Sequence, residues 1–117
     1  MSEKYQLGER TLAFSVSIIR HCSRYKQQSL RSVVDQVIRS GTSVGANYAE
    51  ANNAASKTDF RNKIFIAKKE AAETKYWLTI LQQLGDDSEE LKILLSECHE
   101  ILMILQKIIT TLRGEPK

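Results

Sequence analysis

Proline occurs once, at Pro116, and glycine only five times in 117 residues. So few breakers let the chain run long helices and leave little turn chemistry for a sheet. Two cysteines, Cys22 and Cys98, are too few for a disulfide framework or a zinc site. The longest apolar run, Ile101 to Leu105, is five residues, far below the roughly 20 that a membrane-spanning helix needs. No apolar leader-like stretch opens the chain, so a cytoplasmic location is expected. With 42% hydrophobic and 26% charged residues, the bulk of the chain is expected to be ordered. The length suits one domain over residues 1–117.

Charge is unevenly spread within a net of +3. Met1 to Gly85 carries 13 Lys/Arg against 7 Asp/Glu, and the remainder 4 against 7. A basic body with an acidic last segment is consistent with nucleic-acid binding and equally with subunits that pair by charge.

Apolar spacing predicts four helices, over about residues 8–25, 30–53, 58–84 and 88–113. In the first, Leu12, Val16 and Ile19 form one stripe and Phe14, Ile18 and Cys22 another beside it. The second carries Leu30, Val34, Val37, Gly41, Val44 and Tyr48, with Ser29 as its expected N-cap. The third repeats the pattern at Phe60, Ile64, Ala67, Ala71, Thr74, Leu78 and Leu81, after a turn of small and polar residues from Asn52 to Ser56. Gly85 stands where a left-handed helix end belongs. Asp87 with Glu90 reads as a capping box for the last helix, whose stripe is Leu91, Leu94, Cys98, Ile101, Leu105, Ile108 and Leu112. Short connections between helices of this length predict an all-α, antiparallel up-down-up-down four-helix bundle.

Beyond one stripe each, the last helix adds Ile93, Leu95, Leu102, Met103, Ile104 and Ile109, and the third adds Phe65, Ile66, Tyr76 and Trp77. Exposed together these exceed the apolar patch a monomer usually shows, so copies of the chain are expected to cover them. On the second helix Gly41, Gly45 and Ala49 recur every fourth residue. An internal glycine costs about 1 kcal/mol relative to alanine, and close helix approach is the usual compensation. On an adjacent face stand Arg39, Ser43, Asn47 and Glu50, and a chain reversal near Ala54 sets Arg39 level with Glu70 and Glu73. That strip reads either as a polar network fixing helix register or as a ligand or partner pocket.

Catalytic and metal chemistry finds no support, and no cofactor is expected. The Glu-x-x-His pair of a di-iron bundle is absent, because Ser96 and Ile18 stand three residues before His99 and His21. Both histidines are expected at the surface or an interface. Cys22 and Cys98, offset by about 10 Å along antiparallel helices, are expected as small core hydrophobes. Glu70 and Glu73 have no nucleophile or phosphate loop beside them in the sequence. What remains is a basic cluster: Lys57, Arg61, Lys63, Lys68, Lys69 and Lys75 on the third helix, with Arg20, Arg24, Lys26 and Arg31 around the first connection. Multiplied by oligomer symmetry, such a stripe suits a phosphate backbone.

Two blocks then carry a resemblance. Arg39-Ser40-Gly41-Thr42-Ser43-Val44-Gly45-Ala46-Asn47-Tyr48-Ala49-Glu50-Ala51 is one, and Ile66-Ala67-Lys68-Lys69-Glu70-Ala71-Ala72-Glu73-Thr74-Lys75-Tyr76-Trp77-Leu78, with Phe60 before it, is the other. Together they resemble the four-helix bundle proteins that bacteria encode in intervening sequences of 23S ribosomal RNA genes, the S23-like family. Ala51 departs from the glycine many relatives carry there. The resemblance implies a homopentameric ring without established catalytic activity, an association with RNA, and a related branch serving as accessory subunits of diversity-generating retroelements. Its motif positions in this chain are Arg39, Ser43, Asn47, Glu50, Glu70, Glu73, Tyr76 and Trp77. The expected function is a non-enzymatic oligomeric scaffold that binds RNA or other nucleic acid through a basic surface. The alternative is an adaptor for a partner protein such as a reverse transcriptase.

Overall fold

Four helices account for most of the chain in the computed structural model, which describes residues 5–114. They are α1 (Leu7–Cys22), α2 (Arg31–Asn52), α3 (Lys57–Gln83) and α4 (Glu89–Leu112), with a 3-10 turn at Gln28–Leu30 before α2. No strand occurs among the described residues. The stripe of α2 is buried from Val34 to Tyr48 and continues to Ala51, and that of α3 is buried from Ile64 to Leu81 with Phe60 partly covered. Cys22 and Cys98 are buried thiols, and burial pushes them up to about 11 and about 12 respectively, so neither is a ready nucleophile.

Of the two stripes of α1, the structure buries one. Phe14, Ile18 and Cys22 are buried together with Leu7 and Thr11, whereas Leu12, Val16 and Ile19 face solvent at 67%, 40% and 50% exposure. The cause lies on α2. A Cβ on Gly41 would stand 3.1 Å from Ile18 Cγ1, and one on Gly45 would stand 3.0 Å from Thr11 Oγ1. The two glycines therefore let the backbone of α1 come close at Thr11 and Ile18, which fixes the rotation of α1 and turns the other stripe outward. Thr11 satisfies its hydroxyl locally, on the Leu7 carbonyl at 2.8 Å. Ala49, the third small residue of the series, is exposed and takes no part.

α4 departs near its end. Ile109 is buried and Ile108 only partly so, while Leu112 is exposed. Successive four-residue steps, Ile101 to Leu105 to Ile109, keep pace with the 3.6-residue turn better than a strict heptad does.

Helix ends explain the connections. α1 stops at Cys22 rather than near residue 25. Ser29 lies inside the 3-10 turn and α2 has no side-chain cap. Ser56 caps α3 by accepting from the Asp59 N–H at 3.0 Å. Gly85, at φ 117, closes α3 in the left-handed conformation, with Asp86 N–H donating to the Leu81 carbonyl and Gly85 N–H to that of Gln82. The α4 cap is Ser88, which accepts from Leu91 N–H at 3.2 Å, and not Asp87. Asp86 displaces the expected box, because its carboxylate already holds the Ser88 N–H at 2.9 Å.

α1 packs on α2 and α4, α3 packs on α2 and α4, and α1 and α3 stand diagonally, with no Cα pair within 8 Å. Two buried polar contacts tie α3 into place: Thr74 Oγ1 lies 2.8 Å from Ser40 Oγ on α2, and Cys98 Sγ of α4 donates to the Ala71 carbonyl at 3.3 Å.

Candidate functional site

The polar strip resolves into separate contacts. Arg39 Nη1 lies 3.2 Å from Glu70 Oε1, its Nη2 bonds Glu73 Oε2, and its Nε donates to Gln36 Oε1 at 3.1 Å. Trp77 Nε1 donates to the same Glu73 oxygen at 3.0 Å. These bonds from Trp77 and Arg39 hold the Glu73 carboxyl below its ordinary range. The network is half-exposed rather than buried, since Arg39 keeps 46% of its side chain in solvent. Ser43 and Asn47 turn inward on their own helix: Ser43 donates to the Arg39 carbonyl at 2.7 Å and Asn47 to that of Ser43 at 2.9 Å. Glu50 pairs with Lys63 at 2.8 Å. Each polar group of the strip is thus occupied by the protein itself, which favours the register role over a pocket.

The basic residues do not form one patch. Arg20 and Arg24 are on α1, Lys26 follows it, and Arg31 opens α2. Because α1 and α3 are diagonal, Arg20 and Arg24 stand apart from the α3 cations. Arg24 is also paired with Glu90 at 3.2 Å, and Lys63 turns toward α2 and Glu50.

The remaining α3 cations share a face with a particular property. Lys57, Arg61, Lys68 and Lys75 fall within one side of the helix, with Phe65, Lys69 and Tyr76 beside them at four- and seven-residue spacings. The acids of α3, Asp59, Glu70 and Glu73, lie toward α2: Glu70 and Glu73 bond Arg39, Asp59 acts on Lys63, which reaches Glu50, and Glu73 also feels the charge of Lys69. α4 sorts its charges likewise. Glu97 and Glu100 bind Arg10 of α1, at 2.6 and 3.0 Å, and Glu90 binds Arg24. On its other side, His99 Nδ1 meets Lys75 Nζ at 3.0 Å, and the Arg113 guanidinium lies 5.5 Å from the Phe65 ring centre. Lys92, seven residues before His99, falls on that side too. The outer surface along α3 and the adjoining flank of α4 is therefore predominantly basic and aromatic, with Glu73 at its edge beside Lys69 and Glu89 at its end before Lys92.

Sequence reading missed Lys92 and Arg113 as members of this face, and it counted Phe65 only as surplus apolar surface. Charge position relative to the third-helix stripe was the available signal, because Asp59, Glu70 and Glu73 already share one flank by spacing.

A second cluster was not foreseen. His21, expected at the surface, is buried at 5% exposure. Its Nε2 lies 2.9 Å from Asp86 Oδ2, to which Tyr25 also donates its hydroxyl. An ionised carboxylate only accepts, so Nε2 carries the hydrogen, and Nδ1 is left buried without a partner. Burial would raise the Asp86 carboxyl, but bonds from Ser88, Tyr25 and His21 outweigh it and hold it well below the usual range. Tyr25 is pushed up by burial and by that same carboxylate. A depressed carboxyl contributes stability that is present above the unfolded value, near pH 4, and is lost as pH falls toward the folded value. Asp86→Asn is accordingly expected to cost about 2 kcal/mol at neutral pH and to flatten the acid limb of stability. Urea unfolding at pH 7 and pH 3 checks both. Beside this cluster runs a groove of about 340 Å³ between α1 and α4, floored by Phe14, Ile93 and Leu94 and edged by Arg10, Arg24 and Glu97.

Among the described residues no group of three or more His, Cys, Asp or Glu side chains could hold a metal ion, and no helix is long and apolar enough to cross a membrane.

Residues 3–107 match the family profile described as 23S rRNA-intervening sequence protein. The chain is also similar to the crystal structure of a protein of unknown function from the S23 ribosomal protein family of Bacteroides thetaiotaomicron VPI-5482. The identity is 34%, the TM-score 0.78, and the match covers 88% of this chain and 97% of the other. No curated protein matches the chain.

Proposed function

The chain belongs to the 23S rRNA-intervening sequence protein family, and from that premise we propose that it is a non-enzymatic scaffold, built from several copies of an antiparallel up-down-up-down bundle, that engages nucleic acid through the α3–α4 face. The antiparallel order is supported by the pairing of Arg39 with Glu70 and Glu73 and of Glu50 with Lys63, where numbers rise on one helix as they fall on the other. Arg10 with Glu97 and His21 with Asp86 support the same order for α1 and the start of α4. Self-association is supported by the outward stripe of Leu12, Val16 and Ile19 on α1. The family resemblance implies five copies in a ring.

One observation carries the nucleic-acid reading: Glu70 and Glu73 of α3 and Glu90, Glu97 and Glu100 of α4 are drawn to α2 and α1 by ion pairs, which leaves a surface where Lys57, Arg61, Lys68, Lys75 and Lys92 have no carboxylate partner among the described residues and Lys69 stands beside a Glu73 already bonded to Arg39. Phosphate binding needs such a surface, and copies around a symmetry axis multiply it. The test is titration with a structured RNA at several salt concentrations. The logarithm of affinity is expected to fall linearly with the logarithm of salt, and Arg61→Gln or Lys69→Gln is expected to reduce the slope by about 0.7–0.9 per protomer contact. Absent or salt-insensitive binding would remove the reading. The adaptor alternative is favoured by the apolar groove between α1 and α4, and a partner protein retained after nuclease treatment would support it.

A further inference from the structure

The α3–α4 face holds more than charge. Tyr76 is 62% exposed and Phe65 is 43% exposed, two large rings in water on a helix that buries its other stripe fully. A surface meant only for phosphates has no use for them. Each ring is also held in place. Trp77 packs edge-on against Tyr76 at 5.2 Å, and Trp77 is itself tied through Glu73 to Arg39 of α2. Lys68 Nζ and the Arg113 guanidinium lie over the Phe65 ring, 5.6 and 5.5 Å from its centre, so a stacking base would replace a cation that the backbone phosphates can hold instead. Resting on the nucleic-acid reading above, we propose that this face takes single-stranded nucleic acid in preference to duplex, with bases stacked on Tyr76 and Phe65 and the backbone following Arg61, Lys68 and Lys69.

The physical reason is access. Bases in a duplex are stacked on one another and offer no free face, whereas every unpaired base has one, and stacking on a protein ring is tolerant of sequence. The two rings are 11 residues apart on one helix face, about 16 Å at 1.5 Å per residue. Stacked bases repeat every 3.4 Å or so along a strand, so one strand would reach both rings across several nucleotides, with Lys68, Lys69 and Ala72 between them. Ala72 keeps the space between the rings low. Because Trp77 already fixes the Tyr76 ring, little side-chain freedom is lost on stacking.

The experiment compares oligouridylate of about 20 nucleotides with an RNA duplex of equal length, using the full chain, Tyr76→Leu, Phe65→Leu and Arg61→Gln. Leucine keeps the apolar bulk and the helix but removes the flat face, and unfolding midpoints confirm that the variants are folded. The wild type is expected to bind the single strand more tightly than the duplex. Each leucine variant is expected to lose about 5- to 100-fold for the single strand, with duplex affinity and salt slope unchanged. Equal affinity for both forms, or leucine variants that bind like wild type while Arg61→Gln binds more weakly, would overturn the stacking proposal and leave the electrostatic reading standing. No binding to either RNA would overturn both.

Discussion

Ile18→Ala is expected to lower stability by about 2–5 kcal/mol, and Gly41→Val by about 1–3 kcal/mol, yet the double variant should cost clearly less than the two together. Ile18 is fully buried, and its Cγ1, Cγ2 and Cδ1 are the atoms that a Cβ at Gly41 would meet, at 3.1, 3.2 and 3.4 Å. Truncating Ile18 alone leaves a cavity against a bare glycine. Adding a side chain at Gly41 alone drives it into Ile18, which is fully buried. Made together, the new methyl groups fill part of the space the old ones left, so the residues should couple by about 0.5–3 kcal/mol. Denaturant unfolding of the wild type, both single variants and the double variant measures that coupling. Simple additivity would mean that α1 is not set on α2 by this contact.

The second large effect concerns the face which that contact turns outward. Val16→Glu together with Ile19→Glu is expected to reduce the particle to a single copy while leaving the fold intact. Both side chains are substantially exposed, at 40% and 50%, so placing a charge there should change the stability of the lone bundle by no more than about 0.5 kcal/mol. Within an interface the same change is severe. Burying a side chain of this size contributes about 1.5–3 kcal/mol, and an unpaired carboxylate there reverses the sign of the contact. Circular dichroism unchanged from wild type, with a loss of mass in solution, is the combination to look for. Unchanged mass would move the contact between copies elsewhere, with Ile93 and Met103 of α4 the next exposed apolar side chains.

The rotation of α1 also marks the boundary of what the sequence reveals. α2 and α3 were legible because each has a single continuous stripe, from Val34 to Tyr48 and from Ile64 to Leu81. α1 has two apolar stripes of similar strength, and nothing local chooses between them. The choice is made by Gly41 and Gly45 on another helix. The glycine spacing did predict close approach, but not that Thr11 would be one of the residues approached. Arg39 with Glu70 and Glu73 was legible from a chain reversal at a turn whose length could be read. His21 with Asp86 was not, because 65 positions separate them and their meeting depends on how α1 and the α3–α4 connection lie in space. The α4 cap failed for the same reason: Asp86 is engaged by His21 and Tyr25 and holds the Ser88 N–H, which shifts the cap to Ser88.

For the basic face, sequence supplied the cations and the structure supplied their sorting. Lys63 and Arg24 drop out because they have carboxylate partners, and Lys92 joins because α4 lies beside α3 with Glu90, Glu97 and Glu100 turned to α1. Tyr76 came from a family motif and Phe65 from an apolar count, and only their exposure beside Lys68 and Lys69 gives them a shared use.

Everything proposed for the scaffold depends on copies meeting through surface that a lone bundle leaves apolar. Static light scattering of the wild-type chain at micromolar concentration tests this without any ligand. One copy has a mass of 13.3 kDa, and a ring of five is expected at about 66 kDa, five times that value. A stable species of 13.3 kDa across the concentration range would contradict the assembly and remove the symmetry that multiplies the basic face.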